Sequence, residues 1–410
     1  MTAKYDIFKK INESILWVEA VEDIVTLKKR LTGLASTGTD DFRVWDSTQQ
    51  KFIDPMDDSP RGSPMNTVAR LGCFFLLAIL AAGSALAQSA APAAPANGQI
   101  VLDVVVSPKS GGAEGGLQQQ DFKVLDNGKP QAITSFQALK GRDASVEVVV
   151  VLDSVNTEIQ TVEYARSELE KFLRTEGGRL AFPLSIAVVT DTDVQMLGDF
   201  SADGNALATQ LNKDSPGLRA IRRSAGLQGA AERWELSLTA LQKLAAAEAA
   251  RPGRKIEIWL SPGWPLLARA SGEFDSKQQQ QVFTELVKVS NDLAQARVTL
   301  YMIDPRGASQ PLVSADYYKS FLKPVTKSSQ VDLANLGLQV FAVQNGGLVF
   351  TSDNDIAKAL QTCLADAAPY YEISFVPSSA GGGNEYHRLE VSVDKPGLTA
   401  RTRQGYYSRP

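Results

Sequence analysis

Residues 146–157 read VEVVVVLDSVNT. From 146 to 152 only Glu147 is polar, so the run is too continuous for a strand with one wet face. Such a run is expected where a parallel strand is covered by helices on both sides. It gives way to a polar turn, Asp153-Ser154-Val155-Asn156-Thr157. A helix is expected over 158–174, with Ile159, Val162, Leu169, Phe172 and Leu173 on its apolar side. Strand, polar turn and helix in that order form the repeating unit of open α/β sheets. In such sheets ligands gather outside the carboxyl ends of the strands, where the strand order reverses, which makes this turn the first place to look for function.

Working outward, the alternation continues. Strands are expected at 184–189, 256–260, 298–303 and 347–351, with a short antiparallel edge at 194–200. Helices are expected at 234–250, 278–294 and 356–364. Residues 144–367 are therefore expected to form a doubly wound, mostly parallel α/β domain. The flanks have a different character. A β-rich stretch at 100–106 is followed by 121–125, by the hairpin cue Asn127-Gly128 and by a returning strand at 131–136. Beyond the domain, Tyr371, Ile373 and Phe375 alternate with polar residues, as do Leu389, Val391 and Val393, and a last strand is expected over 398–407. Neither 99–143 nor 368–410 is long enough to bury a core alone. The two ends are expected to pair into one small β-sandwich with the α/β domain inserted between them.

Met65 opens a second kind of signal. A short segment carrying Arg70 leads into the apolar run LGCFFLLAILAA at 71–82, and Ala85 and Ala87 fit the small-x-small pattern of a cleavage site. The run is shorter than the roughly 20 apolar residues a spanning helix needs. Residues 65–87 thus read as a signal peptide cut after Ala87, with a membrane anchor through 71–87 as the alternative. An Ala/Pro linker, QSAAPAAPANG, follows at 88–98. A secreted or periplasmic protein is expected. Residues 1–64 read as strand (15–20), helix (23–34) and strand (42–45), then a Pro/Ser/Asp linker at 54–64. Either Met65 is the true start and 1–64 is a mis-joined upstream frame, or a small cytoplasmic domain precedes an anchor. Export would remove Cys73 and leave Cys363 without an internal disulfide partner.

Composition narrows the chemistry. The chain holds one histidine, His387, and two cysteines, too few for a zinc site of Cys/His type. His387 lies in a strand-like stretch and reads as a surface or sheet histidine. No Gly-x-Ser-x-Gly elbow and no phosphate loop is present, so an enzyme is not expected. With 42 basic against 46 acidic residues there is no basic footprint for nucleic acid. Asp191 and Asp193 read as turn residues after the second strand.

The turn after 146–152 resembles the metal-ion-dependent adhesion motif, Asp-x-Ser-x-Ser, of von Willebrand factor A and integrin I domains. In that family a Mg²⁺ ion takes oxygens from the Asp and both hydroxyls, and a later Thr and a second Asp complete the site. Carried onto this sequence, Asp153 and Thr157 fill the first and third positions, and Val155 stands where the first Ser belongs. No Thr occurs at 226–233, and Ser261-Pro262-Gly263 replaces the family's Thr-Asp-Gly. The resemblance therefore implies a degenerate motif: no cofactor, or a Mg²⁺ ion held by Asp153 and Thr157. Without metal, Asp153 would cap the following helix. Ser154, Asn156, Ser261, Trp264 and Asp304 are candidate binding-surface residues around the same crevice.

Over 100–407 the chain resembles the secreted von Willebrand factor A-related proteins common in Acidobacteria. The residues that carry this are Leu117 with Asp121-Phe122, Asp126-Asn127-Gly128-Lys129, the turn at 152–157, Asp304-Pro305-Arg306-Gly307, Tyr386-His387, and Arg403-Gln404-Gly405-Tyr406-Tyr407. The resemblance implies the fold and export and says little about the ligand; by analogy of fold, together with export, a non-enzymatic protein–protein interaction or adhesion module is expected, with a protein partner in the periplasm or outside the cell. Two alternatives stand beside it: a Mg²⁺-dependent adhesin using Asp153 and Thr157, and a structural component of an envelope complex.

Overall fold

A computed structural model describes residues 5–11, 14–21, 23–35, 41–46, 51–53, 98–108, 115–141, 144–213, 227–265, 275–307, 316–351, 354–377 and 382–408. The expected export signal at 65–87 and the linker up to residue 97 lie outside the described residues. The chain divides into two units, Met1–Leu86 and Ala87–Pro410.

In the first unit, β1 (Tyr5–Ile11), β2 (Ser14–Val21), β3 (Asp41–Asp46) and β4 (Lys51–Ile53) form an antiparallel sheet in the order β2-β1-β3-β4. Helix α1 (Ile24–Ala35) is capped by Asp23, whose Oδ1 accepts the Val25 and Thr26 amides at 2.9 Å each. Leu27, Leu31 and Val44 are buried. Strands β1 and β4 have no counterpart among the expected elements. YDIFKKI has a broken alternation, and three residues are too few to show a period.

The second unit begins with four strands: β5 (Ile100–Pro108), β6 (Phe122–Asp126), β7 (Lys129–Gln131) and β8 (Ile133–Leu139). Then come β9 (Val146–Asp153), α2 (Ile159–Leu173), β10 (Arg179–Val189), β11 (Val194–Met196), β12 (Ser201–Asp203), α3 (Gly204–Lys213) and α4 (Leu227–Ala249). They are followed by β13 (Arg254–Leu260), α5 (Ser276–Ala296), β14 (Val298–Ile303), α6 (Leu338–Gln344), β15 (Val349–Phe350) and α7 (Ile356–Ala365). The chain ends in β16 (Tyr370–Phe375), β17 (Tyr386–Val393), β18 (Leu398–Arg401) and β19 (Gly405–Tyr407).

A seven-stranded sheet runs β11-β10-β9-β13-β14-β15, with β12 also on β10; all but the short β11 and β12 are parallel. Strand β9 sits between β10 and β13, and that position explains its composition. Val146, Val148, Val150 and Leu152 face one core with α2 and α7; Val149 and Val151 face the other with α4, α5 and α6. The apolar run therefore fills both layers at once. Because β10 lies on one flank of β9 and β13 on the other, the strand order reverses at β9.

Two four-stranded antiparallel sheets, β18-β5-β16-β8 and β19-β17-β6-β7, draw strands from both ends of the second unit. Their inner faces share one core, which includes Leu102, Val104, Phe122, Val124, Ile373 and Leu389. The Asn127-Gly128 turn forms as expected, both residues at positive φ (48° and 76°). Two expected strands prove to be split. The returning strand at 131–136 is divided between β7, which pairs with β6, and β8, which crosses to pair with β16. The last strand is divided between β18 on β5 and β19 on β17. Each break passes the chain from one sheet to the other, a long-range demand that local alternation does not carry.

Candidate functional site

The turn that follows β9 lies at the reversal point of the sheet. Asp153 is 1% exposed, and its carboxylate is fully engaged. Oδ1 accepts the backbone amides of Val155 and Asn156, both at 3.0 Å. Oδ2 accepts Asn156 Nδ2 at 2.9 Å and Ser261 Oγ at 2.6 Å. The same Ser261 Oγ accepts the Gly263 amide at 3.1 Å. Ser154 ties the turn sideways to β10, its hydroxyl donating to the Val189 carbonyl at 2.5 Å. Asn156 Nδ2 also donates to Ser237 Oγ on α4 at 2.7 Å. One acidic side chain thus gathers the ends of β9 and β13, and Asn156 links it to α4. Burial pushes the Asp153 carboxyl above its ordinary range, against the opposing pull of Ser261 and Asn156.

The turn, where a binding surface is expected, is closed. Val155 and Thr157 are buried, and of Ser154, Asn156, Ser261, Trp264 and Asp304 none is more than 7% exposed. These residues build the floor of the crevice. Trp264, expected either as core or rim packing or as an apolar binding surface, packs edge-on against Trp259 at 5.5 Å between ring centroids. Asp304, at the end of β14, is buried beneath Arg306: its carboxylate accepts Arg306 Nε at 3.0 Å and a terminal guanidinium nitrogen at 2.8 Å. Burial raises the Asp304 carboxyl while Arg306 works against the rise.

The donor set does not fit a divalent cation. A hard cation needs about six oxygens with free lone pairs. All four hydrogen bonds to Asp153 occupy the directions a metal would use, Asp304 is committed to a guanidinium, and Val155 and Pro262 supply no side-chain oxygen. Thr157 Oγ1 is buried with no hydrogen-bond partner, but a lone hydroxyl does not hold an ion. Among the described residues no cluster of three or more His, Cys, Asp or Glu could hold a metal.

Three further features of the crevice were not legible in the sequence. Ser237 on α4 is fully buried against Asn156, and nothing in α4's composition singles it out. Arg306 bridges Asp304 to the Pro262 carbonyl, 3.1 Å away, with 41% of its side chain exposed at the rim. Ile159, expected on the buried side of α2, is instead 51% exposed, because it is the first helical residue and projects beyond the sheet. Tyr164 is also exposed, and its hydroxyl donates to the Asn354 carbonyl. Asn354 in turn lies against Gly307, beside Arg306. Tyr164 and Arg306 thus approach one another through Asn354 and Gly307, and Ile159 is exposed at the start of α2.

His387 is a buried strand residue, not a surface one. Its Nδ1 lies 2.9 Å from Asp126 Oδ1, and its ring stacks on Tyr406 at 4.7 Å. Tyr406 donates to the other Asp126 oxygen at 2.8 Å. Among the described residues its other nitrogen, Nε2, is buried with no hydrogen-bond partner. A cleft of about 500 Å³ lies away from the crevice: Gln119, Phe122, Val124, Pro130 and Ile133 line it, on the flanking sheets.

No protein-family model and no curated protein matches the chain. Similar solved structures include the human COPII-coat protein Sec24c, at 8% identity, covering 67% of this chain and 44% of that one, with a TM-score of 0.32. They also include the manganese-loaded Plasmodium vivax TRAP protein, at 12% identity, covering 68% of this chain and all of that one, with a TM-score of 0.30. The chain spans less than half the length of the Sec24c chain. Likenesses this slight carry no argument about function.

Proposed function

We propose that this chain is an exported, non-enzymatic interaction module: a von Willebrand factor A-like domain inserted in a β-sandwich, whose degenerate adhesion motif has become a structural lock. The reading rests on one observation. Asp153, which by resemblance fills the first position of the family's motif, ends the central strand with its carboxylate taken up by four protein donors. The contact surface is then the rim around the locked turn, Ile159, Tyr164 and Arg306, and not the turn itself. An apolar side chain and an aromatic beside a partly exposed guanidinium suit a protein partner with an acidic, partly apolar surface. The partner lies in the periplasm or outside the cell. No helix among the described residues is long and apolar enough to cross a membrane, and a membrane role would need the 71–87 segment uncleaved.

The test places a photo-crosslinking residue at Ile159, at Tyr164 and, as control, at Val376, which is 55% exposed just after β16. Adducts to one extracytoplasmic protein from both rim positions and none from Val376 support the reading. Equal adducts from all three, or none from the rim, would sink it. Calorimetry with Mg²⁺, Mn²⁺ and Ca²⁺ supplies the second arm. No binding heat is expected; heat that disappears in Asp153→Ala would restore the Mg²⁺-dependent adhesin.

A further inference from the structure

Near the C-terminal end of α4, beyond Ser237 at its middle, two acids are buried between the helix and the sheet. Glu248 of α4 is 4% exposed and Glu257 of β13 is fully buried, and their side chains are within hydrogen-bonding reach of each other. One oxygen, Glu257 Oε2, accepts Trp259 Nε1 at 3.0 Å. The other three carboxyl oxygens, both of Glu248 and Oε1 of Glu257, have no donor. Among the described residues the charged neighbours are already engaged. Lys255 of β13 directs its ammonium to the Arg251 and Gly253 carbonyls. Glu147 of β9 is held by both arms of Arg251. Glu285 of α5 accepts Gln242 of α4. Arg297 and Asp103, which act on Lys255 from the far side, are paired with each other. Two buried acceptor-only groups facing one another need a donor, and a proton on one of them is the donor that the arrangement lacks.

We propose that Glu248 and Glu257 share a proton that seats α4 on the sheet, and that its loss as pH rises unseats the helix and releases Ser237 from the crevice turn. The proposal does not depend on the functional reading above. Ser237 lies roughly three helical turns from Glu248 on the same rigid helix, so the two attachments respond together. Electrostatics agree with the geometry. Burial, and then the neighbouring carboxyl, push Glu248 well above its ordinary value; burial pushes Glu257 up to about 7. An exposed glutamate ionises near 4.5, so the seated form binds more protons than the open form above that pH. The stabilisation is therefore complete below about pH 4.5 and is lost as pH rises through about 7 and beyond.

Hydrogen exchange of the full chain between about pH 5 and 9, corrected for intrinsic rates, tests this. In the wild type the opening population of α4, and of the turn at 153–157, is expected to grow about tenfold per pH unit until the pair is fully ionised. In Glu248→Gln with Glu257→Gln, where amides pair without titrating, the slope should vanish in both segments. A wild-type slope of zero, or an unchanged slope in the double variant, overturns the proposal. Should the double variant fail to fold, infrared spectroscopy of the wild type decides. A protonated-carboxyl carbonyl band at neutral pH that fades on alkalinisation supports the shared proton, and its absence refutes it.

Discussion

Replacing Arg297 with methionine tests how the flanking strands hold the α/β domain. Asp103 of β5 and Glu372 of β16 are directly opposite in an antiparallel register, an arrangement of like charges that opposes pairing. Arg297, between α5 and β14, resolves it. Its guanidinium lies 2.5 Å from Asp103 Oδ1 and 2.6 Å from Glu372 Oε2. The three side chains are only 20%, 10% and 15% exposed. Burial works against the guanidinium's charge, but Asp103 and Glu372 outweigh it and hold the group above its ordinary value. Arg297 also adopts a left-handed backbone (φ 57°) to end α5, which places the side chain between the strands. Methionine keeps the length of the stem and removes the charge, leaving two buried carboxylates side by side. Breaking a buried ion pair from one side costs about 3–5 kcal/mol, and the triple variant Arg297→Met, Asp103→Asn, Glu372→Gln should recover more than half of that. Urea denaturation of the full chain, followed by near-ultraviolet circular dichroism, measures both. A single-variant loss under about 1 kcal/mol, well below the expected range, or a triple variant no more stable than the single, would refute the bridging role.

Two further substitutions probe the site and the core. Gly263 sits at φ +85°, and a Cβ there would fall 1.7 Å from Gln339 Nε2; Gly263→Ala is expected to cost about 1–3 kcal/mol. A melting temperature equal to wild type would show that the loop after β13 is not pinned by α6. Cys363 is fully buried and its thiol is raised by that burial, so a thiol reagent should leave it unmodified in the native chain and label it after unfolding. Peptide mass mapping separates it from Cys73, and rapid native labelling would contradict the packing of α7.

Much of the parallel layer could be read locally. Val148 to Leu152 announce a doubly covered strand, because such a strand has no polar face to show. The heptad-like spacing in α2 places Val162, Leu169 and Phe172 on the core, and the structure differs only at Ile159, where the helix has not yet reached the sheet. Asn127-Gly128 specifies its turn, because both residues tolerate positive φ. The site was legible as a place but not as a state. Asp153 at the end of a buried strand marks the crevice, whereas its closure depends on Ser261, 108 residues away, and on Asn156, which Ser237 steadies.

What sequence alone determines here is whatever depends on neighbours along the chain: periodicity, caps, turns and the polar junction after β9. Tertiary structure decides what depends on neighbours across it. The splitting of 131–136 and 398–407 between two sheets, the bridging of Asp103 and Glu372 by Arg297, and the meeting of Glu248 with Glu257 all join residues from separate elements. No local pattern encodes them, because hydrogen bonds and ion pairs across a core are set by distances that exist only once the chain has folded.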